Sequence, residues 1–327
     1  MNTTLQASLL GILYYSNLLI SLQALLLLVN MLVSKITTAL VAASVASCIS
    51  FTEYGEMAMD TVKRMLPDLS TRDGGGNCPA IWTAIASELQ GMFLDKTVNP
   101  SQCNDAARAA IREAFHDCGS WETALGTLPG NGGCDGSLIL TTGPDAATNE
   151  LMRGENGGLA GISAKLLALQ QKYVAIDASV TVADLIQFAA AVAIVTCPGG
   201  PQIKTFVGRK DSTSPAARNL LPDVHAPGAD LFALFQRKGF TANELAALLG
   251  AHTTSKQFLI PGAPVGAAQD STPGKWDVQY YADTLNPPAG VFVFPSDTNL
   301  AADPTVGKEF KGFVGSQGKW TSAFGSA

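Results

Sequence analysis

Two helix-forming stretches each carry a histidine at a set spacing from other functional side chains, in a chain that holds only three histidines. The first contains Arg112, Phe115, His116 and Asp117. Arg112, Phe115 and His116 stand at i, i+3 and i+4, so they share one helix face. A guanidinium, an aromatic wall and an imidazole then line one pocket, which suits a proton-transfer base beside a fixed positive charge. The second stretch runs from Thr241 to Thr253. Leu245, Leu248, Leu249 and His252 fall at i, i+3, i+4 and i+7, an apolar stripe ending in a ligand-capable ring. Thr241 with Glu244 predicts a capping box at its start.

The chain has 327 residues, enough for one large domain or two lobes with a substantial core. Net charge is −6 and no basic stripe exists, which excludes nucleic acid as a partner. Residues Met1 to Ser34 carry no charged side chain, and Leu5 to Val33 is almost wholly apolar, long enough to span a membrane. Lys35, the apolar run from Ile36 to Val45 and the small residues Ser44, Val45 and Ala46 form a compact secretory signal with a cleavage site near Ala46. The reading preferred is residues 1–46 as a signal or apolar extension, a secreted protein and no stable membrane association after cleavage. The alternative is an uncleaved anchor. Asn2 is the one N-glycosylation pattern, because Asn99 precedes proline.

Residues 47–327 form the remaining domain, beginning with an arm to about residue 77. Helices are predicted at about 78–93, 103–117, 158–172, 181–193, 228–238 and 241–252. Gly- and Pro-rich connections occupy 119–137, 197–227 and 255–275. Val291 to Phe294 is the clearest strand-like run. The fold class is therefore mainly α. Six cysteines suit export. Cys118 and Cys134 bracket a Gly-rich loop that a bond would close, and Cys48 and Cys78 could pair if cleavage spares Cys48. Sequence does not settle connectivity.

In this order and register, the motifs resemble the plant, fungal and bacterial haem peroxidase superfamily, and most closely its secreted fungal branch, which includes lignin and manganese peroxidases. The resemblance covers roughly residues 78 to 320. It implies two helical lobes enclosing one haem b, with a distal lobe at about 78–197 and a proximal lobe at about 198–327. It implies a monomeric enzyme that uses hydrogen peroxide to oxidise small phenolic or similar aromatic donors in two one-electron steps. His116 and Arg112 would be the distal acid–base pair. Asn156 would orient His116, with Glu150 behind it; either residue alone reads as part of a polar loop. Phe115 matches the secreted branches and also suits ordinary packing. His252 would bind the haem iron, with Asp297 on its other nitrogen; Asp297 alone reads as a turn acid.

The resemblance also implies two Ca²⁺ sites of hard oxygen donors. Asp117, Gly133, Asp135 and Ser137 would hold one. Thr253, Asp270, Thr272, the Lys275 carbonyl and Asp277 would hold the other. Cys103 and Cys197 match a disulfide of the fungal members. Some features depart from the pattern. The positions of the manganese-binding acids are here Asn104, Arg108 and Phe258, so manganese oxidation is not expected. The position of the surface tryptophan of lignin peroxidases is Ala247. Trp82, Trp121, Trp276 and Trp320 read as packing residues and His225 as a surface-loop residue. Two other classes compete with this reading. A haem- and calcium-binding protein without turnover needs only His252. A membrane protein needs longer apolar runs than any after residue 47.

Overall fold

A computed structural model describes residues 79–98, 100–126 and 131–327. The signal or anchor segment, the N-terminal arm, Asn2, Cys48 and Cys78 lie outside the described residues. Within them the chain is mainly helical. The α-helices are α1 (Ile81–Phe93), α2 (Asp105–Cys118), α3 (Ser137–Leu140), α4 (Ala160–Val174), α5 (Val182–Thr196), α6 (Gly228–Arg237), α7 (Ala242–Leu249), α8 (Gln279–Leu285), α9 (Pro295–Ala302), α10 (Val306–Lys311) and α11 (Gln317–Ser326). The described strands are β1 (Leu94–Asp95) and β2 (Gln102–Cys103), paired antiparallel.

Two sets of contacts organise these helices. In the first, α1, α2 and α4 pack around α5, and α2 against α5 is the largest interface. Almost every residue of α5 is buried. Its apolar run therefore belongs to a core helix rather than to a membrane span, and no described helix is long and apolar enough to cross a membrane. Trp82, Ile85, Leu89 and Phe93 recur along the inner face of α1, and Trp82 meets Phe188 of α5 edge-on at 4.8 Å. The start of α5 is held from a distance. The Thr181 hydroxyl accepts from Asp184 N, while the Asp211 carboxylate accepts from Val182 N and Ala183 N.

In the second set, α7 packs on α10 and α11, and α9 on α6, α8 and α10. The core there is aromatic: Trp276, Tyr280, Tyr281, Phe310, Phe313 and Trp320 are all fully buried. Trp276 and Trp320 stack at 5.5 Å. The disulfide Cys103–Cys197 joins β2 to the end of α5, and Cys118–Cys134 ties the end of α2 to the following loop.

Three local expectations change. Val291 to Phe294 forms no strand; it is an irregular lead-in to α9, anchored by Phe292 N donating to the Ala268 carbonyl. The helices from Gln279 onward were not predicted, because short helices packed on an aromatic cluster lack a long periodic stripe. The helix predicted through His252 ends at Leu249 and tightens into a 3₁₀ turn over Gly250–Thr254. Tertiary contacts explain the switch. The Trp320 indole donates to the Ala247 carbonyl at 2.9 Å, and the Tyr281 hydroxyl donates to the Ala246 carbonyl at 2.8 Å. The last carbonyls of α7 thus find side-chain donors, and the chain is free to tighten.

Gly250 makes this approach possible. A Cβ there would overlap the Trp320 indole nitrogen and the Tyr281 hydroxyl. Gly250→Ala should therefore destabilise the protein by about 1–3 kcal/mol through overpacking, read as a lower urea midpoint with an unchanged m-value.

Candidate active site

The α2 helix presents different chemistry on its two sides. Its start is set by Asn104, whose side-chain oxygen accepts from Ala106 N and Ala107 N. One face buries Ala107, Ala110, Ala114 and Asp117. The other turns Arg112, Phe115 and His116 into a cavity of about 2300 Å³. Phe115 is 39% exposed, and that surface faces the cavity, where its ring stacks with Phe235 at 6.3 Å.

The segment leading into α4 holds both polar residues of this face. Arg112 donates through Nη1 to the Gly157 carbonyl at 2.8 Å and through Nη2 to the Glu155 carbonyl at 2.7 Å. His116 Nδ1 lies 2.8 Å from Asn156 Oδ1. Asn156 Nδ2 donates to the Glu150 carbonyl at 2.7 Å. That acceptor orients the amide, so Oδ1 faces the imidazole and the His116 proton resides on Nδ1. His116 Nε2 is left as the basic nitrogen, 3.2 Å from Arg112 Nε. Burial, reinforced by the Arg112 charge, lowers the His116 pKa to about 3 despite the Asn156 bond. The ring is a neutral base at ordinary pH.

Glu150 stands behind Asn156, but through its backbone. Its buried carboxylate instead accepts from Ala216 N at 2.8 Å and pairs with Arg153 at 3.2 Å. The reason is charge: a buried carboxylate needs a cation and N–H donors, and the amide of Asn156 is already engaged.

A second part of the cavity lining is built on the 3₁₀ turn after α7. His252 Nδ1 lies 3.0 Å from Asp297 Oδ2. Asp297 is fully buried near the start of α9, and the same oxygen accepts from Gln269 Nε2 at 2.9 Å. The His252 ring packs edge-on against Tyr280 and Phe294. Burial alone would depress its pKa, but the Asp297 carboxylate outweighs burial and raises it. About 35% of the side chain faces the cavity, with Nε2 unclaimed by Asp297. Leu245, Leu248, Leu249 and Leu300 supply apolar lining beside it.

Two oxygen-rich clusters flank these walls. Asp117 is buried and accepts from Gly136 N and Leu138 N. Burial and the neighbouring Asp135 raise its pKa well above the usual range. Ser137 Oγ is buried close to Asp135 but makes no well-formed hydrogen bond. The Gly133 carbonyl accepts from Asp135 N within the same loop. In the second cluster the Thr253 hydroxyl donates to Asp270, and the Thr272 hydroxyl to Asp277. Burial raises the Asp270 pKa to about 7, with Asp277 and Asp283 adding to it. Lys275 joins through its N–H to the Thr272 carbonyl. Among the described residues no group of three or more His, Cys, Asp or Glu side chains is placed to hold a metal ion by itself. Each cluster therefore offers two carboxylates, and hydroxyl and carbonyl oxygens would complete any coordination.

Asn104 is an N-cap, Arg108 pairs with Asp105 at 2.7 Å and Phe258 is an exposed aromatic, so none of the three supplies a carboxylate. Trp82, Trp276 and Trp320 are buried, whereas Trp121 is half-buried at the cavity. His225 is exposed on its loop. Sequence reasoning missed Gln269, Glu113 and the carbonyls of Glu155 and Gly157. Gln269 directly precedes Asp270, which is the one signal that could have found it; backbone carbonyls carry no side-chain signal.

A family description, peroxidase, matches residues 91–316. A peroxidase of Arthromyces ramosus is 34% identical over 230 residues, which are 65% of this chain and 58% of that protein. The chain thus aligns with under two thirds of that relative's length. Manganese peroxidase 3 of Phlebia radiata is 29% identical over 265 residues, 73% of this chain and 69% of its own. Ligninase C of Trametes versicolor is 32% identical over 244 residues, 68% and 63% respectively.

The Glu150–Arg153 pair generates a prediction that separates support from chemistry. Glu150→Ala would leave Arg153 buried without its carboxylate. Loss of about 3–5 kcal/mol is expected, measured by urea unfolding.

Proposed function

The chain belongs to the peroxidase family, and from that premise we propose that it is a secreted haem enzyme that uses hydrogen peroxide to oxidise small phenolic or similar donors by two one-electron steps. One observation carries the reading: a single cavity is lined both by Arg112 and His116, the latter held by Asn156, and by the His252–Asp297 pair.

The residues fit a haem. The cavity is large, its lining includes Phe115, Leu248, Leu249 and Phe294, and His252 offers Nε2 while Nδ1 is held by a carboxylate. His252 would ligate the iron, and Asp297 would make that ligand more electron-donating. When bound, the haem would supply the redox centre that reduces peroxide and then accepts electrons from the donor.

The chain's own part is proton transfer and charge. His116 Nε2 takes a proton from hydrogen peroxide and returns it to the departing oxygen. Asn156 keeps the other ring proton on Nδ1, so the base presents the correct tautomer. Arg112 sets a positive charge where negative charge develops. The Arg112 Nε contact now covers His116 Nε2, so peroxide must replace it there. The carbonyls of Glu155 and Gly157 keep the guanidinium in place during that exchange. Disulfides between Cys103 and Cys197 and between Cys118 and Cys134 support an oxidising location.

We assign Ca²⁺ to the two oxygen-rich clusters, because each sets a buried aspartate beside a half-buried one among hydroxyl and carbonyl oxygens, a hard-oxygen set that a divalent cation would neutralise. Each cluster starts at the residue next to a cavity histidine. Complete removal of calcium by a chelator should shift the haem absorption bands of the loaded protein; unchanged bands would remove the coupling between the clusters and the histidines.

Stopped-flow absorbance tests the main reading. The haem-loaded protein should show a Soret band that falls on mixing with hydrogen peroxide and recovers on adding a phenol. His116→Leu should retain haem and react with peroxide about 10²- to 10⁴-fold more slowly. A wild-type band that ignores peroxide would overturn the enzyme reading and leave a haem-binding scaffold.

A further inference from the structure

Behind the peroxide-facing side of α2 lies a carboxylic acid with no place in the chemistry above. Glu113 follows Arg112 in the chain, points to the other side of the helix and has no solvent exposure. Its Oε1 meets the Ser163 hydroxyl, and its Oε2 has no hydrogen-bond partner. Ser163 lies in the first turn of α4, and its hydroxyl is also 3.0 Å from the Leu159 carbonyl. One hydroxyl carries one proton, and a carbonyl only accepts. The pair closes with Ser163 donating to Glu113 or, when the hydroxyl proton goes to Leu159, with a protonated Glu113 donating to Ser163. The α1, α3, α4 and α5 helices pack against α2. Ser163 of α4 is the side chain that hydrogen-bonds Glu113; on α2 itself Arg112 is held by the Glu155 and Gly157 carbonyls, and Asp117, one turn on, by Gly136 N and Leu138 N.

The contact is placed where it matters. The residues just before α4 are the ones that grip the reactive pair: the carbonyls of Glu155 and Gly157 hold Arg112, and Asn156 orients His116. Ser163 is seven residues after Asn156, one helical turn into α4. We propose that Glu113 is a positioning residue, which clamps the first turn of α4 to α2 through Ser163 and so sets how the 155–157 segment meets Arg112 and His116. This inference rests on the peroxidase reading of that pair. It assigns Glu113 no contact with peroxide or donor.

The clamp has a pH signature. Burial raises the Glu113 pKa to about 7, against a usual value near 4.5. A raised carboxyl pKa means that the neutral clamp is favoured at acid pH; as pH rises through about 7 the contact comes to hold a buried carboxylate with no cation paired to it, which loosens it. Stability and peroxide reactivity that depend on the clamp should fall in that direction.

The test measures the second-order rate of the haem-loaded protein with hydrogen peroxide from pH 5 to 9, alongside thermal unfolding. Glu113→Leu and Ser163→Ala should each slow the peroxide reaction by about tenfold at pH 5, the equivalent of about 1.4 kcal/mol in the barrier, with haem retained. Ser163→Ala removes one hydroxyl and keeps the test valid if Glu113→Leu fails to fold. Glu113→Gln supplies a neutral donor to Ser163; it should restore the rate and abolish the break near pH 7. Wild-type rates in both Glu113→Leu and Ser163→Ala, or an undiminished break in Glu113→Gln, would overturn the inference. A merely structural role would lower the unfolding temperature of all three variants and leave the break in place, and it too would overturn it. His116→Leu serves as the control. If it reacts as the wild type does, the peroxidase reading fails; if it is slow while the Glu113 and Ser163 variants are normal, only this inference fails.

Discussion

Each cavity imidazole has its Nδ1 tied to a partner that the chain delivers from elsewhere, and the rest of the site depends on those two ties. His116 is tied to Asn156, and His252 to Asp297. Each tie fixes a tautomer and leaves Nε2 as the nitrogen available to the cavity, in His116 once the Arg112 Nε contact gives way. The two partners differ by a charge, and that difference separates the two roles. A neutral amide lets burial and Arg112 hold His116 uncharged, as a base must be. A carboxylate overrides burial and makes the His252 ring more electron-rich.

Delivering those partners is what the helices accomplish. The packing of α2 on α5 buries one side of α2 and leaves Arg112 and His116 facing the cavity. The aromatic cluster of α8, α10 and α11 does the corresponding work for His252. Trp320 and Tyr281 take the end carbonyls of α7, and the turn that follows tightens around Gly250. Neither tie is local: 40 residues separate His116 from Asn156, and 45 separate His252 from Asp297.

The fold also places acids where water does not reach. Asp117 and Asp270 sit beside other acids; Asp117 directly follows His116, and Asp270 accepts from Thr253, the residue after His252. Left alone, such groups become protonated or oppose folding. Glu113 stands apart from them, with a single hydroxyl for a partner. The same burial thus produces different outcomes, decided by what each carboxyl faces.

Much of this was legible before any coordinates. The i, i+3, i+4 spacing of Arg112, Phe115 and His116 places them on one face of any helix, because 3.6 residues per turn leaves no choice. The capping box of Thr241 and Glu244 forms as its residue types require. The mainly helical class follows from long periodic stretches. Tertiary structure decided what local rules do not contain. The helix through His252 became a 3₁₀ turn because side chains some 35 and 73 residues away capture its carbonyls. Val291 to Phe294 stayed irregular in spite of its β-forming residues, since strand propensity acts only where a partner strand exists. Glu150 sent its carboxylate to Arg153 and Ala216 instead of Asn156, and Glu113 became a buried acid. Spacing along one element is set by backbone geometry, which sequence carries in full; hydrogen-bond partners and local dielectric belong to segments that meet only in the folded chain.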